Sequence, residues 1–168
     1  ATLLNLTLLG LAPKVAREFT SDAGGFSVMT PYTLKETVQS VETQAATIDI
    51  HMFVADQGDT SLIVGYSDYP EEIVQANDPE ELLDVSRDGA VTNVQGELVA
   101  ETKTLLNQYP GREMTISATT STGHAMVLRS RIFLVDQRLY QVMAVALKGK
   151  ENSAVIGDFL RSFKLLGK

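Results

Sequence analysis

The chain has 168 residues, enough for one domain that buries about two-thirds of the surface its unfolded form exposes. Its 14 Lys and Arg stand against 21 Asp and Glu, a formal net charge of -7, which repels phosphate backbones and anionic lipid surfaces and sets nucleic acid aside as a partner. With no cysteine, thiolate metal sites, disulfide frameworks and cysteine nucleophiles are excluded.

Residues 1–12, ATLLNLTLLGLA, are uncharged and Leu-rich. Their length suits the apolar region of a signal peptide and falls short of the roughly 20 residues a spanning helix needs. No basic region precedes them, so residues 1–23 are expected to be a signal-peptide remnant or an N-terminal extension. Residues 24–168 are expected to form a single domain, exported to the periplasm or an equivalent lumen, with no membrane span in the mature protein.

From Phe26 the pattern turns to strands. Phe26 to Met29 alternates and is stopped by Thr30-Pro31. Leu34 to Val41 and Thr47 to Ala55 read as two strands. In the second, Ile48, Ile50, Met52 and Val54 share one face and Asp49 and His51 the other. Asp56-Gln57-Gly58-Asp59 is a turn, with a returning strand over Ser61 to Ser67.

Tyr69 to Ala76 is expected to contain a short helical piece. A clearer helix starts at Asp78-Pro79-Glu80-Glu81, with Asp78 as cap, Pro79 in the first turn and Glu81 completing a capping box. Leu82, Leu83, Val85, Ala90, Val91 and Val94 form its apolar stripe, and Gly96 is expected to end it. Strands follow over Glu97 to Leu105, Gly111 to Ala118, His124 to Val135 and Leu139 to Leu147. Asp136-Gln137 makes a tight turn between the last two. A final helix capped at Asn152 or Ser153 carries Val155, Ile156, Phe159, Leu160 and Phe163, and its tail can continue as a closing strand. Strand runs broken by two helical regions predict α+β architecture with an antiparallel sheet.

Phosphate-binding loops, dinucleotide fingerprints, nucleophile elbows and helical zinc motifs are absent from the sequence, so no catalytic residue and no enzymatic activity is assigned. Asp49 and His51, two apart on one strand, lie about 7 Å from each other along the chain and are the candidate metal ligands, zinc being the metal considered. In GYSDYPEE, Tyr69, Glu71 and Glu72 are the candidate partner-binding rim, since Tyr is favoured at interfaces; the alternative has Glu71 and Glu72 complementing a helix N-terminus. In YPGREMTI, residues 109–116, a Pro-Gly turn is read as setting the entry to a strand. Alternation then puts Arg112 with Met114 and Ile116 on the inner face, where it needs a carboxylate or carbonyl partner, and Glu113 on the opposite face.

GGFSVMTP near the start, RLYQVMAV as a late strand and FLRSFKLL at the close together resemble the PsbP-like superfamily, the photosystem II extrinsic proteins and their cyanobacterial relatives. YPGRE followed by RIFLVDQRLYQ is similar to secreted cyanobacterial proteins of unassigned function. The resemblance implies an α/β/α sandwich with a central antiparallel sheet, a thylakoid-lumen or periplasmic location, and a non-catalytic role in assembling or stabilising photosystem II or another membrane complex. Zinc bound by some relatives directs attention to Asp49 and His51. The second reading is a periplasmic small-molecule or metal-binding protein that uses the Asp49 and His51 face.

Overall fold

The computed structural model describes residues 14–44 and 46–167; the apolar segment at residues 1–12 lies outside them. In chain order the strands and helices are β1 (Arg17–Ser21), β2 (Phe26–Thr30), β3 (Lys35–Glu42), β4 (Thr47–Asp56), β5 (Thr60–Asp68), α1 (Glu71–Ala76), α2 (Pro79–Asn93), β6 (Glu97–Leu106), β7 (Tyr109–Thr119), β8 (Ala125–Val135), β9 (Arg138–Leu147), α3 (Ala154–Ser162) and β10 (Lys164–Leu165). Seven strands form one antiparallel sheet in the order β3-β4-β5-β9-β8-β7-β6, and β1-β2-β10 form a second, smaller one. The α+β class and the central antiparallel sheet stand as the sequence implies.

One face of the large sheet is covered by α3 and the small sheet. Phe26 and Val28 of β2, Ile156, Phe159 and Leu160 of α3, and Phe163 meet Phe53, Val64, Tyr66, Phe133, Tyr140 and Val142 of the large sheet in one buried cluster. Fully burying such side chains is worth about 1.5–3 kcal/mol each. The rings of Phe26 and Phe163 stack at 5.7 Å, and Phe26 meets Tyr140 edge-on at 6.2 Å. Short β10 extends the small sheet through β2, and Lys164 reaches Glu18 of β1 at 2.8 Å. The expected domain boundary at residue 24 therefore falls inside a hairpin: β1, within the segment assigned to the extension, pairs with β2 over Arg17↔Thr30 to Ser21↔Phe26.

The opposite face is covered by the helices that follow β5. Asp78 accepts a hydrogen bond from the Glu80 N–H at 2.7 Å, and Pro79 occupies the first turn, so α2 starts where its cap dictates. Glu80, not Glu81, is the first-turn carboxylate that the fold uses. Leu82 and Leu83 pack on Met114, Ile132, Leu134 and Leu139. The predicted stripe is narrower than expected, because Val85 is 67% exposed. The helix ends at Asn93, ahead of Gly96, and Gln95 adopts a positive φ of 49°.

Arg112 ties this layer together. Its side chain is 1% exposed and meets Glu80 Oε2 at 2.8 Å, Asp84 Oδ1 at 3.0 Å and Glu101 Oε1 at 3.1 Å. The inner-face position that alternation gives Arg112 thus places three carboxylates around it, two from α2 and one from β6. Arg87 shares Asp84 and Glu101 at 3.0 and 3.1 Å, and Lys103 shares Glu80 at 2.7 Å. Burial works against the Arg112 charge, but the hydrogen bonds it donates to Glu80 and Asp84 outweigh it and raise the guanidinium pKa. Hydrogen bonds from Lys103 and then Arg112 hold the Glu80 carboxyl below the ordinary 4.5.

The Pro-Gly pair is not a turn. Leu106 pairs with Tyr109, so the hairpin turns at Asn107-Gln108, with Asn107 at φ 55°, while Pro110 and Gly111 already lie in β7 opposite Leu105 and Thr104. Gly111 is required by close approach: a Cβ there would sit 2.4 Å from the Ile132 carbonyl oxygen and 2.4 Å from the Phe133 ring.

Three outcomes are expected. In denaturant melts Arg112→Ala costs about 2–3 kcal/mol, since it empties a fully buried site and removes charge-assisted hydrogen bonds, whereas Glu113→Ala, at a half-exposed residue 3.7 Å from Arg131, changes stability by no more than about 0.5 kcal/mol. Gly111→Ala costs about 1–3 kcal/mol through overpacking, while Gly89→Ala, in the interior of α2 with nothing within 4 Å, stabilises by about 0.5–1 kcal/mol. Because the Glu80 pKa is depressed on folding, its contribution is present above pH 4.5 and lost as pH falls through the folded value; acid melts of Glu80→Gln therefore show a shallower loss of stability below pH 4.5 than the parent.

Candidate functional site

The two layers do not cover the large sheet equally. On its second face α2 packs on β7 and β8. Register places Ile48, Ile50, Met52 and Val54 of β4 on that same face, continued by Ile63 of β5 and by Met143 and Val145 of β9. All seven are half-buried, none fully. A row runs Val54, Ile63, Met143, Ser130, Met114, and burial becomes complete only from Ser130 onward, toward α2. Among the described residues the β3–β4–β5 end is thus an apolar sheet surface with no helix over it.

In β4 the apolar set Ile48, Ile50, Met52 and Val54 is not the core face: the buried residues are Phe53 and Ala55, on the face that also carries Asp49 and His51. The sheet's larger core lies on that side, because α3 and the small sheet cover it there.

Asp49 and His51 occupy the outer part of that face. Asp49 accepts a hydrogen bond from the Ser40 hydroxyl at 2.6 Å. His51 Nδ1 lies 3.1 Å from Glu36 Oε1, and its ring stacks on Tyr66 at 4.5 Å and 4°. The far face of Tyr66 carries the Arg138 guanidinium at 4.5 Å from the ring centre, and Arg138 grips Asp68 with two bonds of 2.6 and 2.7 Å. Arg138 and Tyr140 also donate to the carbonyls of Ala23 and Gly24, which fixes the GG of GGFSVMTP against β9. His51 is therefore the outer layer of a stack that anchors the small sheet. As zinc ligands Asp49 and His51 supply two donors, and no set of three His, Cys, Asp or Glu side chains converges among the described residues, so the arrangement falls short of a three-ligand site. His124, the other imidazole, lies in the β7–β8 turn against Thr122 at 2.9 Å, at the far end of β8 from the Phe133 row that His51 joins.

The Tyr69, Glu71 and Glu72 rim is split. Tyr69 is half-buried against the α2 cluster with its hydroxyl 3.4 Å from Ser86 Oγ, whereas Glu71 and Glu72 are exposed in the first turn of α1. Of the three, the two carboxylates are exposed at the surface, three and four residues beyond the end of β5. Arg112 is buried and held by Glu80, Asp84 and Glu101. The open apolar face itself has a sequence signal, the four alternating apolar residues of β4, which alternation identifies without saying whether anything covers them.

No protein-family model and no curated protein sequence matches the chain. Among solved structures it is similar to cyanobacterial PsbP (CyanoP) from Synechocystis sp. PCC 6803, with a TM-score of 0.59 and 11% identity over 93% of this chain and 95% of that one. It is also similar to LpqN, involved in cell envelope biogenesis of Mycobacterium tuberculosis, with a TM-score of 0.55 and 15% identity over 90% and 91% of the two chains. The seven-stranded antiparallel sheet between its two covering layers is thus a PsbP-like fold.

Proposed function

We propose that the chain is an exported, non-catalytic protein-binding domain, an accessory or assembly factor of a membrane complex such as photosystem II. The observation that carries this reading is the open apolar half-sheet of Ile48, Ile50, Met52, Val54, Ile63, Met143 and Val145. Seven adjoining apolar side chains, each half-buried and with no layer over them among the described residues, offer a surface for a partner, and a shallow sheet suits a protein surface better than a small ligand, which needs enclosure. The PsbP-like fold and the envelope role named for LpqN support an exported setting. No helix among the described residues is long and apolar enough to cross a membrane, so contact with a membrane complex would run through a surface of this kind. Glu71 and Glu72 stand near the Ile50↔Ser67 end of the open face, where they would favour a partner with basic residues beside an apolar patch.

The test is affinity capture from gently solubilised membranes with tagged protein. The parent retains a defined membrane complex reproducibly. Ile50→Asp with Met52→Asp loses that complex by about tenfold or more, and Glu71→Lys with Glu72→Lys weakens it less, with unchanged far-UV spectra in both variants. Recovery of no complex, or equal recovery by the Ile50 and Met52 variant, removes the reading.

A further inference from the structure

The open half-sheet ends in an edge whose two faces differ in chemistry. β3 is the terminal strand of the large sheet, paired with β4 in an unbroken register from Lys35↔Val54 to Glu42↔Thr47 and with no strand on its other side among the described residues. All eight of its residues are exposed, Val38 at 53%. The opposite edge differs: β6 carries a register shift between Leu98 and Ala100, a device that discourages added strands, and its Glu101 and Lys103 are engaged by Arg112 and Glu80.

Alternation sorts the β3 edge into two faces. Beside the α2 layer lie Lys35, Thr37, Gln39 and Val41, next to the apolar Ile48, Ile50, Met52 and Val54. Beside the α3 layer lie Glu36, Val38, Ser40 and Glu42, next to Asp49 and His51, so three exposed carboxylates, Glu36, Glu42 and Asp49, line this side of the edge. A strand added beyond β3 sits about 4.8 Å from it and about 10 Å from β4, within reach of lysine and arginine side chains. Its main chain satisfies the free edge, and its two faces meet opposite demands.

We infer that β3 is a docking edge for an extended segment of a partner protein that alternates apolar and basic residues, the apolar ones continuing the Ile48 to Val54 face and the basic ones meeting Glu36, Glu42 and Asp49. This mode is strand addition, in which main-chain hydrogen bonds supply affinity and alternate side chains supply specificity. The inference rests on the protein-binding reading and names its partner's chemistry; the Ser40–Asp49 hydrogen bond and the Glu36–His51 contact hold two of the carboxylates in place for it.

The probe is a synthetic peptide of roughly nine residues that alternates lysine with valine or isoleucine. Controls are the same composition without alternation and a glutamate version. In amide spectra and hydrogen exchange the alternating basic peptide shifts and protects the amides of Lys35–Glu42, and the other two peptides bind about tenfold more weakly or worse. Glu36→Lys, Glu42→Lys and Asp49→Lys together abolish binding; the milder Glu36→Gln with Asp49→Asn, which introduces no repulsion, weakens it if the triple variant does not fold. Equal binding of the non-alternating peptide, shifts confined to α1, α2 or β6, or binding unaffected by the substitutions overturns the inference, as does saturation of the edge by a second copy of the chain in sedimentation. If the membrane complex is captured through Ile50 and Met52 but ignores the charge variants, this inference fails while the protein-binding reading stands. If the peptide docks on β3 and no complex is captured, the strand-addition edge stands and the membrane-complex assignment fails.

Discussion

A buried guanidinium held by three carboxylates organises one half of this molecule. Arg112 lies under α2 with Glu80, Asp84 and Glu101 within 3.1 Å, and a charge so placed is tolerable only while those partners stay. The constraint runs in both directions. It fixes the rotation of α2 about its axis, since Glu80 and Asp84 sit one turn apart on the face turned to β7. It also fixes β6 against β7, since Glu101 has to be presented from the neighbouring strand. Arg87 and Lys103 then share the same carboxylates, so none of the three faces a single cation alone.

That clamp explains why the second face is covered where it is. α2 is fastened over β7 and β8, and its two buried leucines reach the middle of the sheet and stop. Among the described residues nothing fastens a helix over β3, β4 and β5 on that side. The first face is different, because α3 and the β1-β2-β10 sheet bring Phe26, Phe159 and Phe163 over it from a separate layer, and the Arg138–Asp68 pair and the Tyr140 hydroxyl lock the Gly24 carbonyl to β9. An asymmetric cover leaves one apolar half-sheet and one free edge side by side. Function is proposed there because the two are contiguous.

The residues that hold the layers together are consequently separate from those of the proposed interaction surface. The motifs that resemble the PsbP-like superfamily, GGFSVMTP, RLYQVMAV and FLRSFKLL, supply the small sheet, the central strand and the closing helix. Arg138 and Tyr140, within the second, clamp the glycines of the first. A resemblance carried by such residues reports the fold, and at 11–15% identity the structural neighbours likewise speak to the fold alone.

Local order was legible from residue pattern because it depends on short-range physics. The Asp78-Pro79 start of α2, the Asp136-Gln137 turn, the Ser153 cap of α3 and the alternation of β4 and β7 all follow from which residues share a face or fill a cap. Alternation even put Arg112 inside and Glu113 outside. What alternation cannot give is which face another layer will cover: Ile48, Ile50, Met52 and Val54 look like a core and face an uncovered side, while Asp49 and His51 share theirs with buried Phe53 and Ala55. Pro110-Gly111 looks like a turn and is a strand, because the Phe133 ring and the Ile132 carbonyl from β8 occupy the space a side chain would need. The sequence by itself determined the elements, their caps and the two-sidedness of each strand. Only the tertiary structure decided which side became core, which carboxylates surround Arg112 and which edge stayed free, since each depends on residues brought together from distant parts of the chain.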